Sequence, residues 1–177
     1  MTDEPHSSAN TFDLLAQIDP WVALQDGRRQ LLAALEACDP RSGARMLAIP
    51  EFAAIGETTG TLLAMLAAHA ARDRAHAGFF ESLDAPGGIG GAAATITIDI
   101  ADWDAVRAEI DAARFAMLEA AGNLRSDRWE ETLRTPWDPD IEDSVTALLV
   151  VRAMADGMLA DAILALSVIP PEGPRAL

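Results

Sequence analysis

The sequence predicts an all-α protein, an antiparallel four-helix bundle with a long crossover between its second and third helices. Four segments carry apolar residues at the three- and four-residue spacing of one helical face. Helix-starting and helix-stopping pairs such as Asp19-Pro20 and Asp39-Pro40 bound the first of these segments. One run, Thr95 to Ile100, alternates like a strand, but no second such run is present to pair with it. We therefore expect it to form an extended strap within the crossover.

The composition limits the functions that are open to this chain. Its 177 residues suit one domain, predicted over residues 11–169 between flexible tails at 1–10 and 170–177. The formal net charge is −15 and all of the positive charge is carried by arginine, a balance that argues against binding to nucleic acid or to anionic membranes. Because no segment resembles a signal peptide or a membrane span, we expect a cytoplasmic protein.

The first two helices are predicted over residues 20–38 and from Thr58 or Thr59 to Leu83. Asp19 is a typical N-cap and Pro20 a typical first helical residue. The predicted inward stripe of helix 1 is Trp21, Leu24, Leu31, Leu35 and Cys38.

The last two helices are predicted from Trp103 to Leu124 and from about Ile141 to Val168, with a tryptophan-containing loop between them. Asp102 is a suitable N-cap for helix 3. The predicted inward residues of helix 3 are Val106, Ile110, Ala113, Met117 and Leu124.

Polar side chains interrupt the apolar stripe of helix 2. At about 100° per residue, one arc of roughly 90° contains both apolar and ionisable residues. These residues are Leu62, Leu66, His69, Asp73, His76 and Phe80. Two histidines and an aspartate are therefore predicted to face the core.

Helix 4 shows the same interruption. One face of this helix carries Leu148, Arg152, Asp156, Leu159 and Ile163. Buried ionisable groups are costly unless they are paired, and bundles build their pockets where such groups face one another. The two helices therefore predict an interior polar pocket.

Four residues are predicted to line this pocket and to bind a small molecule or act on it. His69 would serve as a general base or hydrogen-bond donor, and Arg152 would anchor an anionic group. Asp73 and Asp156 would orient these two side chains. No cofactor is expected.

Two other interpretations fit the same residues. In the first, Arg152 pairs with Asp156 one turn away and His69 is a satisfied core histidine, so the network is purely structural. In the second, a metal ion is bound by Asp73 with one histidine and Asp156. However, His69 and His76 are about 10 Å apart along the helix axis and cannot share one ion. We therefore expect no bound metal.

Four segments of the sequence form a further pattern, namely TTGTLLAMLAAH in helix 2, DWDAVRAEIDAARFAMLEAAGNLRSDRWEE in helix 3, TPW at 135–137 and ADGMLADAI at 155–163. On these segments the chain resembles the DinB/YfiT-like family of four-helix bundles, over about residues 21–166. That family includes thiol-dependent transferases and isomerases. The resemblance therefore implies a transferase or binder of small, thiol-related molecules.

The resemblance also bears on metal binding. Metal-binding members of the family place one histidine on helix 2 and two, four residues apart, on helix 4. The corresponding positions here are Met65 with Ala155 and Leu159, or Met154 and Met158 if the register of helix 4 shifts by one residue. Helix 4 contains no histidine. The resemblance thus implies an activity that does not depend on a metal.

An alternative function is that of a non-catalytic homodimeric bundle with a structural or partner-binding role. Val150, Val151, Met154 and Met158 are apolar and lie away from the predicted core stripe of helix 4. A helix that is apolar all round must be covered on two sides. This predicts a homodimer whose contact runs along helix 4, and the two functions are compatible with each other.

Overall fold

Capped helices account for most of the described chain, which comprises residues 18–47, 60–84, 102–135 and 138–168 of a computed structural model. The helices are α1 (Pro20–Ala37), α2 (Leu62–Leu83), α3 (Trp103–Gly122) and α4 (Val145–Val168). One side chain before each helix accepts a hydrogen bond from a backbone N–H of its first turn. These caps are Asp19, Thr61, Asp102 and Ser144.

The helices form two close pairs, α1 with α4 and α2 with α3. Buried apolar residues divide into two clusters. The upper core contains Leu31, Leu35, Leu62, Leu66, Val106, Ile110, Leu159 and Ile163. The lower core contains Leu24, Phe80, Leu83, Met117, Leu124, Leu148 and Leu149. The upper core thus joins the first halves of α2 and α3 to the second halves of α1 and α4, and the lower core joins the remaining halves.

This division fixes the direction of each helix. Within each pair the two helices run parallel, and the pairs run antiparallel to each other. Because α2 and α3 are parallel, the chain between Leu83 and Trp103 connects opposite ends of the bundle. The predicted all-α four-helix bundle is confirmed. The two pairs run antiparallel to each other, whereas α1 and α4 run parallel and so do α2 and α3.

Two short antiparallel strand pairs accompany the helices. Strand β1 (Met46–Leu47) pairs with β2 (Gly60–Thr61), and β3 (Leu133–Thr135) pairs with β4 (Asp138–Asp143). These strands correct two predicted helix starts. Helix α2 begins at Leu62 and not at Thr58 or Thr59, and α4 begins at Val145 and not near Ile141. Strand β2 occupies the two residues before α2, and the second of them, Thr61, caps the helix. Strand β4 ends at Asp143, and Ser144 then caps α4.

The predicted inward stripes agree with the structure apart from one residue. All five predicted inward positions of helix 3 are buried, as are four of the five in helix 1. Trp21 is the exception, because 38% of its surface is exposed. Its ring packs instead against Trp129 at the lower end of the bundle, with the ring centroids 5.5 Å apart.

Some predictions concern residues outside the described ranges. These are the flexible tails at 1–10 and 170–177 and the strap at 95–100. Within the described ranges, no helix has the length and apolar composition needed to cross a membrane.

A close approach between two backbones occurs where α1 crosses α4. A Cβ atom added to Gly27 would lie 2.5 Å from the carbonyl oxygen of Ala153 and 3.1 Å from Cβ of Asp156. Only glycine therefore fits at this crossing without movement of a backbone.

This contact predicts that Gly27→Ala destabilises the protein by about 1–3 kcal/mol, the usual cost of overpacking a tight core. The cost arises although alanine has the higher helix propensity, by about 1 kcal/mol. Gly78→Ala is the matched control, because Gly78 is exposed on α2 and a Cβ there would meet nothing within 4 Å. Denaturant unfolding should show the control unchanged or stabilised. Equal stabilisation by both substitutions would contradict the close approach.

Candidate functional site

A layer of ionisable side chains separates the upper core from the lower core. It consists of His69, Asp73, Arg114, Arg152 and Asp156, which we call the polar layer. All five residues are buried, with at most 4% of their surface exposed. They come from three helices, and each lies close to the point on its helix where residues of one apolar cluster give way to those of the other. The layer therefore crosses the middle of the bundle.

Two arginines and one aspartate form the first half of the polar layer. The Nε atom of Arg152 donates to Oδ1 of Asp73 over 2.9 Å. The Nε atom of Arg114 donates to Oδ2 of the same carboxylate over 2.8 Å. Each oxygen of Asp73 thus accepts from a different arginine, and the carboxylate joins α2 to both α3 and α4.

Asp156 occupies the other half of the layer. Its Oδ1 atom lies 2.8 Å from Nη2 of Arg114 and 2.6 Å from Nε2 of His69. Arg114 therefore binds both carboxylates, using Nε for Asp73 and Nη2 for Asp156. This single side chain links the two halves into one network.

The partners of His69 determine where its proton lies. Nη2 of Arg152 is 2.9 Å from Nδ1 of His69, and it also donates to the His69 carbonyl over 3.2 Å. A guanidinium only donates and an ionised carboxylate only accepts. The same Nη2 atom also lies 3.3 Å from Nε2 of His69, so it is not aligned with the Nδ1 lone pair. The proton that the contacts do place is the one on Nε2, which His69 donates to Asp156.

Both carboxylates are stabilised in their ionised form. Burial alone would raise the pKa of Asp73, but the adjacent guanidinium groups of Arg152 and Arg114 more than offset it and hold that pKa well below its usual range. Burial also opposes ionisation of Asp156. The hydrogen bond from His69 and the charge of Arg114 nevertheless hold its pKa below the usual value.

His76 lies one turn beyond Asp73 and is also buried. Its Nδ1 atom donates to the carbonyl of Arg72 over 2.8 Å, and its ring lies edge-on to Phe80. Burial, together with the positive charge of Arg152, lowers the pKa of His76 to about 3. The imidazole is therefore neutral at physiological pH.

The structure brings together all four residues that the sequence predicted for the site. It also adds Arg114, which the sequence analysis missed. A signal was available, because Arg114 follows Ile110 by four residues and precedes Met117 by three on the predicted inward stripe of helix 3.

The contacts within the polar layer bear on what it can do chemically. A general base needs a free lone pair within reach of a substrate proton. The Nε2 proton of His69 points to Asp156, and Nη2 of Arg152 lies 2.9 Å from Nδ1. His69 thus acts as a hydrogen-bond donor here, and action as a base would require Arg152 to move away.

Metal-ligating residue types do not converge in the part of the chain that the structure describes. No group of three or more His, Cys, Asp or Glu side chains is placed there to hold an ion. The positions that the family resemblance assigns to metal ligands, Met65, Ala155 and Leu159, are all buried in the upper core cluster. Their side chains are apolar and offer a metal ion neither a nitrogen nor a carboxylate oxygen.

Removal of one charge from the layer should be strongly destabilising. We predict that Arg152→Ala lowers the free energy of unfolding by about 3–5 kcal/mol, because Asp73 would keep only Arg114 as a partner and the layer would lose one of its two guanidinium groups. Replacing Arg152 with Met and Asp73 with Leu together should recover much of that loss, since both members of the ion pair are then removed. Thermal or denaturant unfolding measures both effects.

The matched control for this experiment is Arg74→Ala. Arg74 binds Glu109 over 2.8 Å on the partly exposed side of α2 and α3. Loss of such a surface pair typically costs less than about 1 kcal/mol. Equal effects of the substitutions at Arg74 and Arg152 would mean that Arg152 is not held in a buried network.

The low pKa of His76 predicts acid sensitivity that begins above the carboxylate range. The unfolded chain takes up a proton on this histidine near pH 6.5, whereas the folded chain resists protonation down to about pH 3. Stability should therefore fall by about 1.4 kcal/mol per pH unit below pH 6.5. The lowered pKa values of Asp73 and Asp156 add to this loss only below about pH 4.

The test compares unfolding of the wild type and of His76→Gln at several values between pH 7 and pH 4.5. The variant should lose most of the slope in this range, although its stability at pH 7 is reduced. An unchanged slope would assign the acid response to another group.

Comparison of the chain with protein-family models, with curated proteins and with solved structures found no match.

Proposed function

We propose that this protein is a non-catalytic helical bundle that acts as a homodimer, with the outer side of α4 as the contact surface. One observation carries the proposal, namely the apolar character of that side. Among the side chains described for α4, over residues 145–166, Asp161 is the only charged one that is exposed. Met154 is 52% exposed and Leu164 is 45% exposed on the same helix.

The exposed and half-buried residues of α4 include a regular stripe, which we call the α4 seam. Its members are Ala147, Val151, Met154, Met158, Ala162 and Ala165. They follow one another at spacings of three or four residues, the spacing with which helices pack along a shared seam. Small residues lie at both ends and the two methionines lie in the middle, where their flexible side chains adapt to a facing surface.

The order of residues in the seam suits a second copy of the same chain. If two α4 helices pack antiparallel about a two-fold axis at residue 156, Met154 of one copy faces Met158 of the other. In the same register Ala147 of one copy faces Ala165 of the other, and Val151 of one copy lies at the height of Asp161 of the other. Each contact of the seam then occurs twice, as an interface with two-fold symmetry requires.

The negative charge of the chain does not oppose this arrangement. In the register above, the two Asp161 side chains lie about 15 Å apart along the helix axis. That distance exceeds the screening length of about 8 Å at physiological ionic strength. The seam itself brings no like charges together.

One residue of the predicted dimer contact lies elsewhere. Val150 is almost completely buried and faces the interior of its own chain. The sequence pattern placed it on the outer face because α4 is apolar on nearly all sides. The proposed contact is therefore narrower than the one that the sequence predicted.

A second candidate function is that of a metal-independent binder or transferase of small, thiol-related molecules, as the DinB/YfiT-like resemblance implies. The observation in its favour is that Nη1 of Arg114 and Oδ2 of Asp156, both in the polar layer, have no hydrogen-bond partner in the described part of the chain. The engagement of His69 by Arg152 favours binding over catalysis. For either function we propose the cytoplasm as the location, in which the single cysteine, a buried thiol, would remain reduced.

The homodimer is tested by sedimentation velocity at micromolar concentration. The wild type should sediment as a dimer, and Met154→Glu should weaken the dimer by at least about tenfold, because it places a charge at the centre of an apolar contact. Phe115→Glu is the control, because Phe115 is 68% exposed on α3 and lies outside the seam. The control should remain dimeric. A monomeric wild type would refute the proposal, and dissociation by both substitutions would place the interface elsewhere.

A further inference from the structure

Two atoms of the polar layer have no hydrogen-bond partner among the residues that the structure describes. They are Nη1 of Arg114 and Oδ2 of Asp156, and both are buried. A buried donor or acceptor that remains unpaired costs about 1–3 kcal/mol, so each such atom in a folded protein calls for an explanation.

The two atoms flank a single ion pair. Nη2 of Arg114 already lies 2.8 Å from Oδ1 of Asp156. Nη1 shares its carbon atom with Nη2, and Oδ2 shares its carbon atom with Oδ1. An unpaired donor and an unpaired acceptor therefore belong to the two groups that this contact joins.

The chemistry of a molecule that would satisfy both atoms is well defined. It must accept a hydrogen bond from the guanidinium and donate one to the carboxylate. It must also be neutral, because a buried ion of either sign would lie beside a like charge, that of Asp156 or that of Arg114. A carboxylate would be repelled by Asp156, and a cation would be repelled by Arg114.

We propose that Arg114 Nη1 and Asp156 Oδ2 form a buried binding site for one small neutral molecule that both accepts and donates a hydrogen bond. Water is the smallest such molecule. The carboxamide group of a primary amide is the next match, since its oxygen accepts and its nitrogen donates on adjacent positions. Either occupant closes a ring of hydrogen bonds with the ion pair.

Burial determines how this site exchanges its occupant. Asp156 is fully buried and Arg114 is 4% exposed. A molecule therefore enters only when the bundle opens locally, and it remains bound longer than water at the protein surface. The ion pair of Arg74 with Glu109, which is partly exposed, provides the comparison within the same molecule.

The test is a crystal structure of the full chain, grown with and without acetamide and at a resolution that shows ordered water. We expect a density peak within about 2.7–3.2 Å of both atoms. Replacement of a single peak by acetamide would identify a carboxamide site, whereas an unchanged peak would identify a water site. N,N-dimethylacetamide, which accepts but cannot donate, should not replace the peak.

Nuclear magnetic resonance provides the matching measurement in solution. The Nη protons of Arg114 should show transfer to a bound molecule that stays at least about tenfold longer than the water at Arg74. Arg114→Lys keeps the charge and removes Nη1, so it should abolish this signal. The proposal is overturned if wild-type crystals show no peak within reach of both atoms, or if Arg114 and Arg74 exchange water equally fast.

Discussion

The polar layer imposes one axial position on three of the four helices. Arg114 reaches from α3 to carboxylates on α2 and α4, and Arg152 reaches from α4 back to α2. Apolar surfaces tolerate many alternative alignments, because dispersion contacts are not directional. A charged layer does not, since a shift by one helical turn, about 5.4 Å, would separate buried charges from their partners. The upper and lower cores are packed as they are because this layer allows no other register.

Helix α1 contributes no side chain to the polar layer and is positioned by a close backbone contact instead. Helix α1 approaches α4 through Gly27, which lies against Ala153 and beside Asp156. The absence of a side chain lets the two backbones come close together beside Asp156. Burial of Asp156 therefore depends on a glycine in one helix as well as on Arg114 and His69 in the others.

The sequence predicted the helices and most of the site because both follow a helical period. His69, Asp73, Arg152 and Asp156 stood out as ionisable residues on stripes that were otherwise apolar. Arg114 has the same signature, but a single arginine beside the exposed Phe115 also fits a solvated helix face, and its partners lie on other helices. An ion pair between two helices produces no pattern in the sequence of either helix.

The strands and the helix starts were less accessible for a related reason. Strands β1 to β4 are two to six residues long and are held by backbone pairing, which produces no clear alternation of side chains. Ile141 is apolar and extends the period of α4 backwards, although Ser144 caps the helix only three residues later. The exposure of Trp21 could not be predicted from the sequence either, because it depends on a contact with Trp129, which is distant in the chain.

The pairing of α1 with α4 has a consequence for biosynthesis. These two helices form one of the two close pairs of the bundle and yet are separated by more than a hundred residues of chain. A ribosome therefore exposes α1 long before its partner has been translated. Until then the glycine-containing face of α1 has no surface to cover it, and contacts between such distant segments form slowly. The nascent polypeptide passes most of its synthesis as an incomplete bundle, a state in which chaperones can bind its uncovered apolar residues.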